Sequence, residues 1–143
     1  MRLAAPILAV VLGACASTHH APEFLAATGG PERPFSPAVR ANDFLFLSGQ
    51  LGTDSAGRVV AGGVQAQTRQ AMQNISALLL RSGSSMERVV KCTVFLADMR
   101  EWAAMNEVYV TFFGAGRRPA RSAMGASGLA LDARVEIECL AAE

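Results

Sequence analysis

Histidine is nearly absent from this 143-residue chain, and its only two copies, His19 and His20, are adjacent and close to the amino terminus. The region with regular secondary-structure signals therefore holds no imidazole. That removes the commonest general base and excludes a Ser-His-Asp or Cys-His arrangement there. Cysteine is scarce too: Cys15, Cys92 and Cys139 form no CxxC pair and no Cys/His spacing that suggests a metal. No Walker loop or dinucleotide fingerprint occurs, since Gly62-Gly63 and the GAGRR run at 114–118 are turn chemistry. An excess of one charge is also missing. Thirteen basic residues face twelve acidic ones, a formal net charge of +1, so the chain has no broad electrostatic footprint for nucleic acid. Nor does any apolar run approach the roughly 20 residues needed to span a bilayer.

What is present is hydrophobic substance. Hydrophobic residues make up 51% of the chain and charged residues 17%, which fits one domain with a real core. The opening MRLAAPILAVVLGACASTHH sets Arg2 before a short apolar run from Leu3 to Ala14. Leu12-Gly13-Ala14-Cys15 resembles the lipobox of bacterial lipoproteins, where a cysteine after a small residue is lipidated and becomes the new amino terminus. The expectation is a signal peptide at 1–14, lipidation of Cys15, and a flexible tether at 15–33 rich in Ala, Thr, Gly and Pro. The mature protein would be anchored on the periplasmic side of a bacterial membrane. The outer membrane is favoured, because Ala16 and not an aspartate follows Cys15.

From Pro34 the patterns become regular, and residues 34–143 read as the folded domain. Asn42–Gln50 is a predicted strand, Thr53–Gly57 a turn and Arg58–Ala61 a short returning strand. After Gly62-Gly63, the residues Val64, Thr68, Ala71, Met72, Ile75, Leu78 and Leu79 recur at helical spacing, and Gly83 supplies a stop. Arg88–Ala97 reads as a buried strand. Asp98 is placed to cap the next helix, with Glu101 completing a capping-box-like pair. That helix carries Trp102, Met105, Val108, Tyr109, Phe112 and Phe113 on its apolar face and ends at Gly114. Strands at Ala120–Ala126 and Ala133–Leu140 follow. The order β-β-α-β-α-β-β implies an α+β fold, a mixed sheet with two helices packed on one face and no helix left for the other. Cys92 and Cys139 fall in apolar strands and read either as buried small hydrophobes or as a disulfide pair.

Two features suggest chemistry. Arg117 and Arg118 make a solvated turn, but Arg121, after Pro119, enters a strand of small and apolar residues. A guanidinium there presents a planar fork that matches a carboxylate in two parallel hydrogen bonds. On the last strand, Glu136 and Glu138 alternate with Val135, Ile137 and Cys139, so one face carries carboxylates. Arg121 reads equally as a structural ion-pair partner of one of these glutamates; the residues alone leave both options open.

Six segments in order, PFSPAV, FLFLSGQLG, QTRQAMQNI, VVKCTVFLADMREWAAMNEVY, RPARSAM and VEIEC, give the stretch from Pro34 to Glu138 a resemblance to the RidA (YjgF) family of reactive intermediate deaminases. The resemblance implies a chorismate-mutase-like fold, a homotrimer with sites in the clefts between subunits, and no metal or cofactor. The implied activity is hydrolysis of 2-imino acids, formed from enamines, to 2-keto acids and ammonia. By position, Arg121 matches the arginine that grips the substrate carboxylate and Glu138 the glutamate that positions the attacking water. Ser48, Gly49 and Asn106 match pocket positions, and Phe35 takes the place of a usual tyrosine. Departures from the pattern are the missing hydroxyl at Phe35, Ala123 where some members carry cysteine, and Leu129-Ala130 in place of Leu-Pro. Two functional expectations follow: an exported deaminase, or a noncatalytic trimeric module that binds a small carboxylate or metabolite. The balanced charge speaks against the RNA-directed activity described for some relatives.

Overall fold

The computed structural model describes residues 21–26 and 33–143; the predicted leader at 1–14, Cys15 and His19-His20 lie outside them. Seven strands and two α-helices follow the chain as β1 (Glu23–Leu25), β2 (Ala38–Ala41), β3 (Phe44–Leu47), β4 (Gln50–Leu51), α1 (Gly63–Arg81), β5 (Val89–Leu96), α2 (Trp102–Tyr109), β6 (Ala120–Gly125) and β7 (Val135–Ala142). The sheet order is β1-β2-β3-β7-β5-β6, with β4 also pairing with β7. Among the described residues only β5 and β6 run parallel, joined through α2 as a crossover connection requires. The mixed sheet with two helices on one face is the architecture that the sequence predicts.

Helix α1 buries Val64, Thr68, Ala71, Met72, Ile75, Leu78 and Leu79, the same stripe that its periodicity marks. It ends in a Schellman arrangement, with Ser84 N–H donating to Leu79 O (2.8 Å) and Gly83 N–H to Leu80 O (3.1 Å). Gly52 lets the chain after β4 pass directly over α1, because a Cβ there would collide with the backbone of Gln67. Leu45, Leu47, Cys92, Val94, Leu96, Val135, Ile137 and Cys139 fill the space between sheet and helices. Directly opposed across β5 and β7, Cys92 and Cys139 form a disulfide with a Cα–Cα separation of 4.1 Å, which closes the alternative the sequence left open.

Several local expectations need correction. Residues 23–25 do not belong to an unstructured tether: β1 pairs with β2, and Arg40 of β2 ties Glu23 to Glu143 while donating to Ser82 O at 2.6 Å. The predicted strand at 42–50 is divided at Ser48-Gly49 into β3 and β4, because its antiparallel register on β7 slips by one residue between Phe46↔Leu140 and Gln50↔Ile137. The returning strand at 58–61 is reduced to one bridge between Thr53 and Val59. Asp98 does act as a cap, accepting from Arg100 N–H at 2.9 Å, but the turn it caps is a 3-10 turn (Met99–Glu101) that leads into α2. Glu101 pairs with Arg134 at 2.7 Å and does not complete a capping box.

Candidate active site

The faces of the sheet decide which side chains can meet. Arg121 on β6 is in register with Cys92 on β5, which is in register with Cys139 on β7. Paired residues share a face, so Arg121 projects toward the helices. There its Nη1 donates to Asn106 Oδ1 of α2 at 2.7 Å. Its guanidinium carbon lies 4.8 Å from the Tyr109 ring centroid and 5.6 Å from that of Trp102. Positions 102, 106 and 109 are four and three residues apart and therefore form one stripe of α2. The two rings hold the cation by their π faces while Asn106 fixes its rotation.

Arg121 is half-buried, and among the described residues it forms no ion pair. Among the described residues, Arg121 thus has no structural pair with a glutamate. Tyr109 is 2% exposed, its hydroxyl finds no hydrogen-bond partner among the described residues, and burial pushes its pKa up to about 12 despite the nearby Arg121 charge. It serves as a neutral wall.

A second cluster forms where β3 gives way to β4. Ser48 is fixed by two bonds to the preceding segment, its N–H to Pro37 O at 2.9 Å and its Oγ to Ser36 O at 2.7 Å. Gly49 lies against Glu136 so closely that a Cβ would collide with the carboxylate oxygen Oε1, so no other residue fits there without moving that carboxylate. Glu136 is half-buried, and its pKa is raised, first by burial and then by the charge of Glu138. Phe35, next to Ser36 in the chain, is 52% exposed.

Arg121 and Asn106 thus come together, as do Ser48 and Gly49, but the two groups remain separate. Glu138 joins neither. It is two strands from Arg121, with β5 between them, and it faces the opposite side of the sheet, in register with Thr93. It lines a hollow of about 230 Å³ on the open face with Phe46, Lys91, Thr93 and Leu140. The carboxylate that meets the Ser48-Gly49 turn is Glu136, which the sequence reading passed over. The alternation along β7 gives both glutamates the same face, so no pattern within that strand distinguishes them. Trp102 and Tyr109 were also missed, since both read as core; a polar Asn106 in the middle of their stripe was the available signal.

Comparison with known proteins identifies the family. Residues 26–143 match the family model Endoribonuclease L-PSP. A RutC family protein of Pyrococcus horikoshii is 45% identical over 112 residues, which are 78% of this chain and 88% of that protein. The 2-iminobutanoate/2-iminopropanoate deaminase of Mus musculus is 41% identical over 111 residues, 77% of this chain and 82% of that one. Among solved structures, E. coli TdcF with bound serine is similar at a TM-score of 0.76 and 30% identity, covering 85% of this chain and 98% of that one. The chain therefore belongs to the Endoribonuclease L-PSP family, the family of the RidA (YjgF) proteins.

Proposed function

We propose that this protein hydrolyses 2-imino acids, formed from enamines, to 2-keto acids and ammonia, in clefts between the subunits of a homotrimer. The observation that carries this reading is Arg121: a half-buried guanidinium, held by Asn106 and two aromatic rings, with no carboxylate partner among the described residues. Such a group is a ready receptor for a substrate carboxylate. The relatives named as 2-iminobutanoate/2-iminopropanoate deaminases, and the serine bound by TdcF, support a small amino-acid-like acid as the ligand.

The chemistry asks little of the protein. A protonated imine is already electrophilic at carbon. Water held by a carboxylate adds to that carbon while the carboxylate takes its proton, giving a carbinolamine. The proton then passes to nitrogen, the C–N bond breaks, and the products are the keto acid and ammonium. Positioning and a charge clamp suffice. We assign the water-holding role to Glu136, in place of Glu138, because Glu136 stands beside the Ser48-Gly49 turn. Arg121 and Glu136 face opposite sides of one sheet, so a neighbouring copy must bring its Glu136 to this chain's Arg121. The open face supports such an assembly, with Phe44 40% and Phe46 49% exposed on it.

Export and lipid anchoring at Cys15 are part of the same proposal. They are supported by the Leu12–Cys15 motif and by the Cys92–Cys139 disulfide, which suits an oxidising compartment. Globomycin sensitivity and fractionation test them; an unprocessed protein in the soluble fraction would refute them. For the activity, an amino-acid oxidase generates the imine and semicarbazide traps what escapes hydrolysis. Arg121→Ala should lower kcat/KM about a hundredfold or more, the loss of two charge-assisted hydrogen bonds, with an unchanged fold by circular dichroism. Keto-acid binding without imine turnover by the wild type would instead favour the noncatalytic carboxylate-binding module.

A further inference from the structure

A hollow of about 150 Å³ lies outside the clamp and takes no part in the chemistry above. Met86 and Glu87 line it from the turn before β5, Phe112 and Phe113 from the end of α2, and Gly114 and Arg117 from the loop that leads to β6. None of Trp102, Asn106, Tyr109 and Arg121 reaches its wall. The apolar side of the hollow is fixed, because Met86, Phe112 and Phe113 are partly buried and pack against the core. Phe113 is held further by Tyr109, whose ring centroid is 5.0 Å away. The two charges stand on different segments. Glu87 accepts from the Ser85 hydroxyl, and this bond, its own backbone N–H and then the charge of Arg117 keep its pKa below the ordinary 4.5. Arg117 follows Gly116, whose φ of 77° suits glycine, and its N–H donates to Gly114 O at 3.1 Å. The two side chains are near enough for Arg117 to act on Glu87, yet they form no ion pair among the described residues. An acid and a base thus flank one apolar hollow, and neither is spent on the other.

We infer that this hollow is a binding site for a free amino acid with an aliphatic side chain, such as leucine, and that it is distinct from the carboxylate clamp at Arg121. The occupant follows from charge complementarity. A zwitterion carries its carboxylate and its ammonium group on one carbon, and the side chain leaves from the same carbon. Arg117 takes the carboxylate in its planar fork, Glu87 takes the ammonium, and the side chain enters between Met86, Phe112 and Phe113. A simple carboxylic acid would leave Glu87 unmatched, and a simple amine would leave Arg117 unmatched. Size agrees with this class. The hollow holds about five times the roughly 30 Å³ that one water occupies, which is room for a branched aliphatic group and too little for a peptide. The inference stands apart from the deaminase reading, since no residue of the clamp takes part in it.

Isothermal titration calorimetry of the full chain tests it with four probes: leucine, glycine, leucinamide and 4-methylpentanoate. The last three each lack one of the three contacts, so leucine should bind about tenfold or more tighter than any of them. Arg121→Ala should still bind one leucine per chain with the affinity of the wild type. Glu87→Gln and Arg117→Ala, both at exposed positions outside the core, should each weaken leucine about tenfold while leaving imine turnover unchanged. No leucine heat at about 10 mM, well above a millimolar Kd, overturns the inference. Leucine binding that is lost in Arg121→Ala and kept in Arg117→Ala also overturns it, because the ligand then sits on the clamp. If 4-methylpentanoate binds as tightly as leucine, Glu87 takes no part and the amino-acid assignment falls. Leucine binding with the expected pattern in a protein that turns over no imine overturns the deaminase reading and leaves this site standing.

Discussion

A guanidinium that gives up part of its hydration normally recovers the loss from a carboxylate; Arg121 recovers it from Asn106 and from the faces of Trp102 and Tyr109. This leaves its charge uncommitted, the condition for gripping a ligand. Glu136 shows the complementary condition. Burial and the neighbouring Glu138 disfavour its ionised form, so its folded-state pKa lies above the ordinary 4.5. A raised pKa means that the folded state binds this proton more tightly, so the stabilisation is full below about pH 4.5 and is lost as pH rises through the shifted value. Glu136→Gln should therefore raise the melting temperature at pH 7, with the gain closing as pH falls toward 4.5, while it abolishes imine hydrolysis. Thermal denaturation across pH checks it; a neutral-pH melting temperature unchanged by the substitution would mean that the carboxylate carries no such penalty. Arg121 was legible because a charge among small and apolar residues breaks the local pattern. Glu136 was not, because two glutamates on one face of one strand differ only in what the rest of the fold brings to them.

Among the elements, the long ones were readable and the short ones were not. Helix α1 and strands β5 and β7 each carry enough buried residues to fix their period, whereas β1, β2 and β4 have two to four residues and take their existence from pairing. The break at Ser48-Gly49 is of this kind: the Ser-Gly pair marks a strand end locally, but the resumption of pairing as β4 follows only from the shift along β7 from Phe46↔Leu140 to Gln50↔Ile137. The disulfide belongs to this scale as well. It joins β5 to β7 across a separation of 47 residues, on the same rung that carries Arg121. Closing a loop of that length stabilises a fold by about 2–4 kcal/mol. Adding a dithiol reductant should lower the denaturant midpoint of the wild type accordingly and leave that of Cys92→Ala/Cys139→Ala unmoved. Equal responses of the two proteins would show that the bridge does not hold these strands together.

At the scale of the whole molecule, the sheet separates what the chemistry must unite. Arg121 with Asn106 lies on the helix side, and Glu136 beside Gly49 lies on the open side, so under the proposed mechanism a complete cleft takes one group from each of two copies. A head-to-tail ring satisfies this for every copy at once, because each subunit gives its arginine to one neighbour and its glutamate to the other. The sequence showed an uncovered sheet face but not this division, since which face a strand residue occupies relative to a distant strand depends on the complete register. The arrangement has an unusual consequence for two variants that are inactive alone. In a mixed ring, a cleft formed by the arginine of a Glu136→Gln chain and the glutamate of an Arg121→Ala chain contains neither substitution. Unfolding the two variants together at equal concentration and refolding them should therefore restore about a quarter of wild-type activity, the fraction of clefts so composed under random assembly into a closed ring. Separate refolding followed by mixing should restore none until subunits exchange. A co-refolded sample that stays inactive, with its mass confirmed as that of a mixed trimer, would mean that the two groups do not act across the interface.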